Sequence, residues 1–370
     1  MACEQLTRLG DVIELEDVKR EPISSRDRKD RKGSYPYYGA QGIVDYLDDY
    51  TYEGDYLLVA EDGENLRSRK NPIANAASGK FRVNNHAHVI AESEKCNLVF
   101  LRHLLNMTDI SAYVTGSTQP KLSQSNLCAM KLPLPSMAEQ NAIANVLSLF
   151  DRKIELNNQL NDYLEQLVDG KFQELFGGLN FNATLSDVAE ITMGQSPAGS
   201  SYNEEGAGII FYQGRGEFGW RFPKRRLYTT EPKRLACEGD VLMSVRAPVG
   251  DLNVAFENCC IGRGLAAIHS ETPSFALYLM RFLKPQLEAY NGEGTVFGSI
   301  NGKALKSLEV ALPSHNEVMQ FESFAAPIDA LIRSNENETR KLNNLRNYLL
   351  PKLMSGEIDV SKVDLTQLTN

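Results

Sequence analysis

Two long stretches of the chain space apolar residues three or four positions apart, as on the buried face of an α-helix. The first covers 138–176, with Pro133 and Pro135 preventing helix upstream. Ser136 and Glu139 form a capping-box pattern at its start, and a glycine pair ends it. We predict one long helix with an apolar packing stripe formed by Leu147, Phe150, Ile154, Leu160, Leu164 and Leu167.

The second stretch has the same kind of beginning. Ser314 follows Pro313, and Glu317 stands three positions further on. Pro327 and Pro351 lie inside it, so we expect a kink near the start and a kink or break near the end. Its predicted packing stripe is Ile328, Leu331, Leu342, Leu345 and Leu349.

Both stripes contain an asparagine at the same place, Asn157 and Asn335. A buried asparagine in a helix seam fixes register and partner at a cost in stability, whereas an exposed one beside the seam has no such role. Neither helix has four regular heptads, so a long homomeric coiled coil is not expected. Because globular sequence separates the two helices, we predict that they pack against each other in antiparallel orientation.

The sequence contains an internal repeat whose period is about half the length of the chain. Leu134-Pro135-Ser136 recurs as Leu312-Pro313-Ser314, 178 residues later, and Gly54-Asp55-Tyr56-Leu57 resembles Gly239-Asp240-Val241-Leu242. This period is longer than that of solenoid repeats, so it indicates two copies of a domain-plus-helix unit with pseudo-two-fold character. Such a chain can present two similar faces to a two-fold partner such as duplex DNA.

The remaining sequence is mixed, with strand-like runs such as 56–60, 83–90 and 241–245 and short helices near 98–105 and 275–287. We therefore predict an α+β protein with two mixed α/β domains and two long helices. The expected boundaries are a first domain at 1–135, a central helix at 136–177, a second domain at 178–312, a distal helix at 313–356 and a tail at 357–370.

Composition places the expected protein in the cytoplasm. The 370 residues include no run of 18 apolar positions and no signal-peptide pattern, and the six cysteines form no C-x-x-C pair. The net charge is −9, yet 19–32 holds seven basic residues against three acids and 215–226 holds five against one. Such clusters are either solvated loops or phosphate-binding patches, and one in each half favours the second interpretation.

Motifs for catalysis are mostly absent. The chain has no phosphate loop and no nucleophile elbow, and Asn71-Pro72-Ile73-Ala74 lacks the second proline and the aromatic residue of amino-methyltransferases. His86-Ala87-His88 would place two imidazoles on one face of a strand, but no third ligand at zinc spacing accompanies them. We expect no catalytic residue, bound metal or cofactor in this chain, and a structural or DNA-facing role for Asn84-Asn85-His86.

Side chains suited to DNA contacts recur in loops of both halves: arginine for guanine, asparagine and glutamine for adenine, lysine and aromatic residues for the backbone. Each alone is more often an ordinary surface residue. The first-half candidates are Arg26, Arg28, Lys29, Arg31, Lys32, Tyr37, Tyr38, Gln41, Arg67, Arg69, Lys70, Lys80, Asn84, Asn85, His86, Thr118, Gln119 and Lys121. The second-half candidates are Arg215, Arg221, Lys224, Arg225, Arg226, Arg246, Arg263, Thr295 and Phe297.

The sequence resembles a known family over nearly its whole length. The segments GDYLLVAEDG at 54–63, SGKFRVNNHAHVI at 78–90 and GSTQPKLSQSNL at 116–127 resemble the first target-recognition domain of type I restriction-modification specificity subunits. LPLPSMAEQNAIANVLSLFDRKIELNNQL at 132–160 resembles the central helical region of that family, and GDVLMSVRAPVGD at 239–251 the second recognition domain. Pro327, and Val318 in place of the glutamine after Glu139, depart from the first copy.

The resemblance implies a non-catalytic subunit that selects DNA sequence. Each recognition domain would read one half of a bipartite, asymmetric target, and the helices would set the spacing between the halves. Two methyltransferase subunits would dock on the helices and supply S-adenosylmethionine and base flipping. Two motor-nuclease subunits would join for cleavage. No membrane association is expected.

Two other classes of function remain open at this point. One is a DNA-modifying enzyme with an unrecognised active site, which would bind S-adenosylmethionine or label DNA by itself. The other is a helical assembly scaffold whose globular domains bind protein. Sequence-selective retention of DNA in moderate salt would separate the scaffold from a specificity subunit.

Overall fold

A computed structural model describes residues 6–292 and 298–360. The chain forms two compact units. The first consists of 1–156 with 338–370, and the second is 157–337. Each unit therefore contains one predicted domain together with part of each long helix, so the division falls inside the helices. Among residues 6–292 and 298–360, none of the helices combines the length and the hydropathy that a membrane span requires.

The first unit is built on a six-stranded sheet in the order β2-β7-β5-β6-β3-β4, in which only β3 and β6 are parallel neighbours. A separate pair, β1 with β8, brings the two ends of the domain together. The strands are β1 Leu6–Arg8, β2 Glu14–Leu15, β3 Lys32–Gly39, β4 Gly42–Leu47, β5 Tyr52–Ala60, β6 Ala74–Val83, β7 Ala87–Ala91 and β8 Lys131–Pro133. The helices of this domain are α1 Asn65–Ser68, α2 Leu98–Met107 and α3 Gln124–Ala129.

The predicted strand over 83–90 was wrong, because a turn at 84–86 divides it into β6 and β7. The Asn84 side chain accepts a hydrogen bond from the backbone N–H of His86, at 2.8 Å, and closes this turn. Asparagine favours such local side-chain to backbone bonds over a continuous strand. The turn displays Asn84, Asn85 and His86 at the end of the sheet instead of along it.

The second unit holds a four-stranded sheet, β10-β18-β15-β16, a five-stranded sheet, β11-β13-β12-β17-β14, and the pair β19-β9. The strands are β9 Ala183–Thr184, β10 Glu190–Met193, β11 Tyr202–Asn203, β12 Ile209–Tyr212, β13 Tyr228–Thr229, β14 Leu235–Ala236, β15 Val241–Ser244, β16 Leu252–Val254, β17 Cys259–Ile261, β18 Leu265–His269 and β19 Glu309–Val310. Four shorter helices are α5 Leu185–Val188, α6 Pro273–Phe282, α7 Lys284–Glu288 and α8 Gly302–Lys306.

The two long helices are α4, Met137–Phe176, and α9, His315–Met354. Both predicted capping boxes are present: the Glu139 carboxylate accepts from the backbone of Ser136, at 3.0 Å, and Glu317 from that of Ser314, at 2.8 Å. Pro351 does not end α9, which continues to Met354.

The helices run antiparallel within each unit. In the first, Asp151 lies 2.6 Å from Arg346, and Lys153, two positions later in α4, lies 3.3 Å from Glu338, eight positions earlier in α9. In the second, Asn161 pairs with Asn335 at 2.8 Å, and the rings of Phe172, later in α4, and Phe321, earlier in α9, are 5.3 Å apart. The predicted orientation is therefore confirmed.

The predicted packing stripe was partly wrong. Leu160, Leu167, Leu331 and Leu345 are 42%, 54%, 44% and 44% exposed. The buried seam of α4 instead passes through Asn157, Asn161, Val168 and Phe172, spaced four, seven and four apart, so Leu160 and Leu167 lie one position off it. The two asparagines of the repeat are buried, at 4% for Asn157 and 8% for Asn335. Asn335 donates a hydrogen bond to Asn161 at 2.8 Å.

Candidate nucleic-acid interface

Loops at one end of the first domain are joined by backbone hydrogen bonds, and we call them the first loop cluster: residues 38–42, 61–63, 84–86 and 116–122. Asn84 donates to the carbonyl of Tyr38 at 3.0 Å, and Glu61 to that of His86 at 2.8 Å. Gly63 donates to Pro120 at 3.1 Å. A fourth bond runs from Leu122 to the carbonyl of Glu61, at 2.7 Å.

The second domain repeats the same four bonds in the second loop cluster: residues 212–216, 245–247, 262–264 and 298–300. Gly262 donates to the carbonyl of Tyr212 at 2.8 Å, Val245 to Gly264 at 3.0 Å, Ala247 to Gly298 at 3.0 Å and Ile300 to Val245 at 3.1 Å. The flanking parallel strand pairs also match, with Tyr38 opposite Val83 and Tyr212 opposite Ile261. The two domains therefore share one loop framework.

In the first cluster the framework displays mostly uncharged and acidic groups. The His86 ring lies 2.7 Å from the Asp62 carboxylate, and Lys121 lies 3.1 Å from Glu61. Arg67 donates to the backbone carbonyls of Gly116 and Ser117 and so fixes the loop that exposes Thr118 and Gln119. Asn85 and Gln41 are exposed on the neighbouring turns.

In the second cluster the framework encloses a cleft of about 350 Å³ lined by three arginines, Arg215, Arg246 and Arg263. All three arginines are exposed. Arg215 is paired with Asp251 at 2.7 Å. The structure therefore brings together three predicted DNA-binding residues that are far apart in the sequence. Thr295 and Phe297 lie outside the described residues.

Comparison with known proteins identifies the chain. The model of the type I restriction modification DNA specificity domain matches it twice, over residues 5–166 and 182–347. The chain belongs to the type I restriction-modification DNA specificity family.

Individual relatives agree with this assignment. A specificity subunit assigned to the type I restriction enzyme MjaX of Methanocaldococcus jannaschii is 30% identical, covering 96% of this chain and 84% of the relative. One assigned to Haemophilus influenzae, S.HindORF215P, is 37% identical over 38% of this chain and 35% of the relative. The type I S subunit structure from M. genitalium has the same fold, with a TM-score of 0.62 and 17% identity, covering 94% of this chain and 95% of that one.

As a specificity subunit, this chain recognises DNA and belongs with the other subunits of a restriction-modification complex, and it is not the catalytic subunit. The enzyme and scaffold alternatives are not favoured. The repeat in the sequence corresponds to the two matched domains. The shared fold confirms the predicted α+β architecture.

Most of the predicted basic residues of the specificity subunit are neutralised by acidic neighbours. Besides Lys121 and Arg215, six exposed or half-buried ones lie within salt-bridge distance of a carboxylate, so they contribute little net positive potential. These are Arg28 with Asp45 (3.5 Å), Arg31 with Asp49 (2.7 Å), Lys32 with Asp45 (2.5 Å), Lys80 with Glu53 (3.9 Å), Arg225 with Glu257 (2.5 Å) and Arg226 with Glu217 (2.5 Å). Lys80 lies 4.5 Å from the centre of the Tyr50 ring. Within 6–292 and 298–360, Arg26, Lys29, Lys70 and Lys224 are exposed and form no ion pair.

The predicted DNA-binding role was wrong for three residues, because their polar groups bind other parts of the protein. Tyr37 is 2% exposed, and its hydroxyl accepts from the N–H of Ile23 at 2.8 Å. Arg69 donates to the carbonyls of Leu105 and Asn106, at 3.0 and 2.8 Å, and so caps the end of α2. Arg221 is 4% exposed and cannot reach DNA.

Arg221 instead fastens the second domain to the long helices of its own unit. Its guanidinium lies 2.9 Å from Asp329 of α9 and 3.1 Å from Glu165 of α4, and it donates to the Tyr278 hydroxyl at 3.2 Å. Burial raises the pKa of Tyr278, which keeps this phenol neutral. Arg281 adds bonds to Glu165 at 2.8 Å.

The first unit has a corresponding anchor at Asp151, which is 178 residues before Asp329. Asp151 lies 2.9 Å from the His103 ring and 2.6 Å from Arg346, and it also contacts Arg102. Burial alone would raise the pKa of Asp151, but the hydrogen bond with His103 and the charge of Arg102 outweigh it and hold the pKa at about 2. The two aspartates are related by the offset of the sequence repeat, but their partners come from distant segments.

His86 and His88 do not form the predicted pair on one strand face, because His86 lies in the turn before β7. His88 is buried, with its ring 2.6 Å from Asp17 and 2.9 Å from the Leu122 carbonyl. Asp17, Glu61 and His88 are close enough to bind a metal ion, but the Arg20 guanidinium already lies 2.6 Å from Glu61. A second such group contains Cys237, Asp240 and His269; the Asp240 carboxylate accepts a hydrogen bond from the backbone N–H of Cys237 at 2.7 Å and lies 2.6 Å from the His269 ring.

Proposed function

We propose that each domain of this specificity subunit reads one half of a bipartite, asymmetric DNA target through its loop cluster. The observation that carries the proposal is the pair of clusters with the same four backbone bonds and different side chains. A shared framework gives both domains the same way of approaching duplex DNA, while different side chains select different bases. The two half-sites should therefore differ in sequence.

The long helices would hold the two methyltransferase subunits, which would supply S-adenosylmethionine and flip the target base. Apolar side chains on their outer faces support this role. In the second unit Tyr163 is 70% and Leu167 54% exposed, and in the first Leu345 is 44% and Tyr348 63% exposed. Exposed apolar patches of this kind mark protein-binding surfaces.

A repeated groove supports two copies of the same partner. In the second unit a groove of about 730 Å³ is lined by Asp169, Phe172 and Asn253, together with residues of α6. In the first unit a groove of about 490 Å³ is lined by Asn347, Leu350 and Asn75, together with residues of α2. These three residues correspond to Asp169, Phe172 and Asn253 in that order, each 178 positions away in the sequence. The helices would also set the unread gap between half-sites, and two motor-nuclease subunits would join the complex for cleavage.

Placing charge on the outer face of α4 tests the docking surface. We expect Leu160→Glu combined with Leu167→Glu to remove one of two bound methyltransferase copies, because two buried, unpaired carboxylates would oppose docking. Native mass spectrometry of the reconstituted complex measures the stoichiometry. Gln166→Glu, at an exposed position of the same helix, is the control and should keep both copies. Retention of both copies by the double variant, with its fold intact, would exclude this surface.

Sequencing of methylated DNA tests recognition itself. DNA treated with the chain, its methyltransferase partner and S-adenosylmethionine is expected to carry methyl groups at one recurrent site with two specified blocks and an unread gap. A single continuous block would contradict reading by two domains. Methylation without sequence preference would contradict the assignment of specificity to this chain.

A further inference from the structure

We propose that the arginine cleft of the second loop cluster reads guanine, with Arg263 and Arg246 as the residues that determine specificity. The proposal rests on the DNA-reading function proposed above and names its chemistry in one half-site. Among the described residues, neither arginine forms an ion pair, unlike Arg225 and Arg226 on the same domain. Their guanidinium groups are therefore available to a ligand in the cleft.

The backbone around the cleft is packed too closely to move freely. A Cβ added at Gly262 would lie 2.8 Å from the carbonyl oxygen of Gln213, and one at Gly264 would lie 2.9 Å from the same atom. A Cβ at Gly194 would lie 2.2 Å from the carbonyl oxygen of Gly262. These glycines hold the turn that carries Arg263 against its neighbours. Side chains on a fixed turn lose less entropy on binding, which favours selective contacts.

The matched positions in the first cluster carry different chemistry. Counting from the paired strands, Arg263 corresponds to Asn85 and Arg246 to Asp62, which is bonded to His86. Arg215 corresponds in the same way to Gln41. General phosphate attraction would favour cations at these positions in both domains, but only the second domain has arginine at all three. The difference therefore indicates base reading.

Arginine is suited to guanine because its planar fork donates two parallel hydrogen bonds to O6 and N7 in the major groove. Lysine keeps the charge but lacks this fork. A guanine contact and a phosphate contact therefore respond differently to the exchange of arginine for lysine.

The experiment is methylation-site sequencing with the reconstituted complex carrying Arg263→Ala, Arg263→Lys or Arg246→Ala. The wild-type half-site of the second domain should contain a guanine on one strand. Each variant should relax the preference at one such position by roughly 5- to 150-fold, while the other half-site stays unchanged. Lys233→Ala, at an exposed lysine of the same domain that forms no ion pair among the described residues, is the control and should leave every base preference intact.

Asn85→Ala is the matched variant in the first cluster and should alter the other half-site alone. Thermal unfolding of each variant should equal that of the wild type. A uniform fall in methylation at all sites with Arg263→Ala, or wild-type specificity with Arg263→Lys, would assign these arginines to phosphate and overturn the proposal. A specific wild-type site without a G·C pair in that half would also overturn it, and would leave the proposed function standing. Methylation without sequence preference would remove both.

Discussion

Replacing Arg221 by alanine is expected to destabilise the second unit by about 3–5 kcal/mol, the usual cost of breaking a buried ion pair. Among the described residues, the substitution would remove the one cation paired with Asp329 and would leave Glu165 with Arg281 alone. The poorly solvated Asp329 carboxylate, left without its cation, accounts for the expected loss. Chemical denaturation of the purified chain measures the change in the free energy of unfolding.

Arg225→Ala is the matched control, because it removes an arginine from an exposed ion pair four residues away. Such pairs contribute less than about 1 kcal/mol, so its stability should stay close to that of the wild type. If Arg221→Ala kept full stability and instead lost the preference for one base, Arg221 would have to be a DNA contact.

The long helices could be predicted nearly to the residue because their signals are local. Capping boxes, prolines and glycines act within a few positions, so the predicted 138–176 differs from Met137–Phe176 by one residue. Antiparallel packing followed from the intervening domain. The repeat located Asn157 and Asn335 at the same position in both stripes but left open whether they are buried, and the structure shows that both are.

The side of each helix that packs was harder to predict, because apolar residues occur on more than one face. Leu160 and Leu167 satisfied the spacing, yet Asn161 and Val168, one position later, occupy the seam. Which face is buried depends on tertiary contacts. The exposure of Leu160 and Leu167 is explained only if another protein binds this face of the helix.

The candidate DNA contacts were also hard to predict, because their environment depends on tertiary contacts. Arg246 and Arg263 could be named from residue type and loop context, but only the strand pairing brings them into one cleft. Arg221 belongs to the same basic cluster as Arg215, and nothing local reveals that its partners are Glu165 and Asp329 in the helices. Long-range contacts decide between the two roles.

Exchange of the second domain is expected to change one half-site completely and leave the other unchanged. The natural cut points are Gly178, after α4, and Leu312, before α9. The graft must retain Arg221, Tyr278 and Arg281, because these residues bind the helices instead of DNA. The loops of the second cluster would then come entirely from a relative with another target.

Sequencing of DNA methylated by this exchanged complex tests the central claim most directly. The predicted result is a site whose one half matches that of the relative, while the other half and the unread gap remain those of the parent. A complex with the parental chain and one with the relative's chain provide the two reference sites. A site in which both halves change, or in which neither does, would contradict the claim that each domain reads its own half of the target.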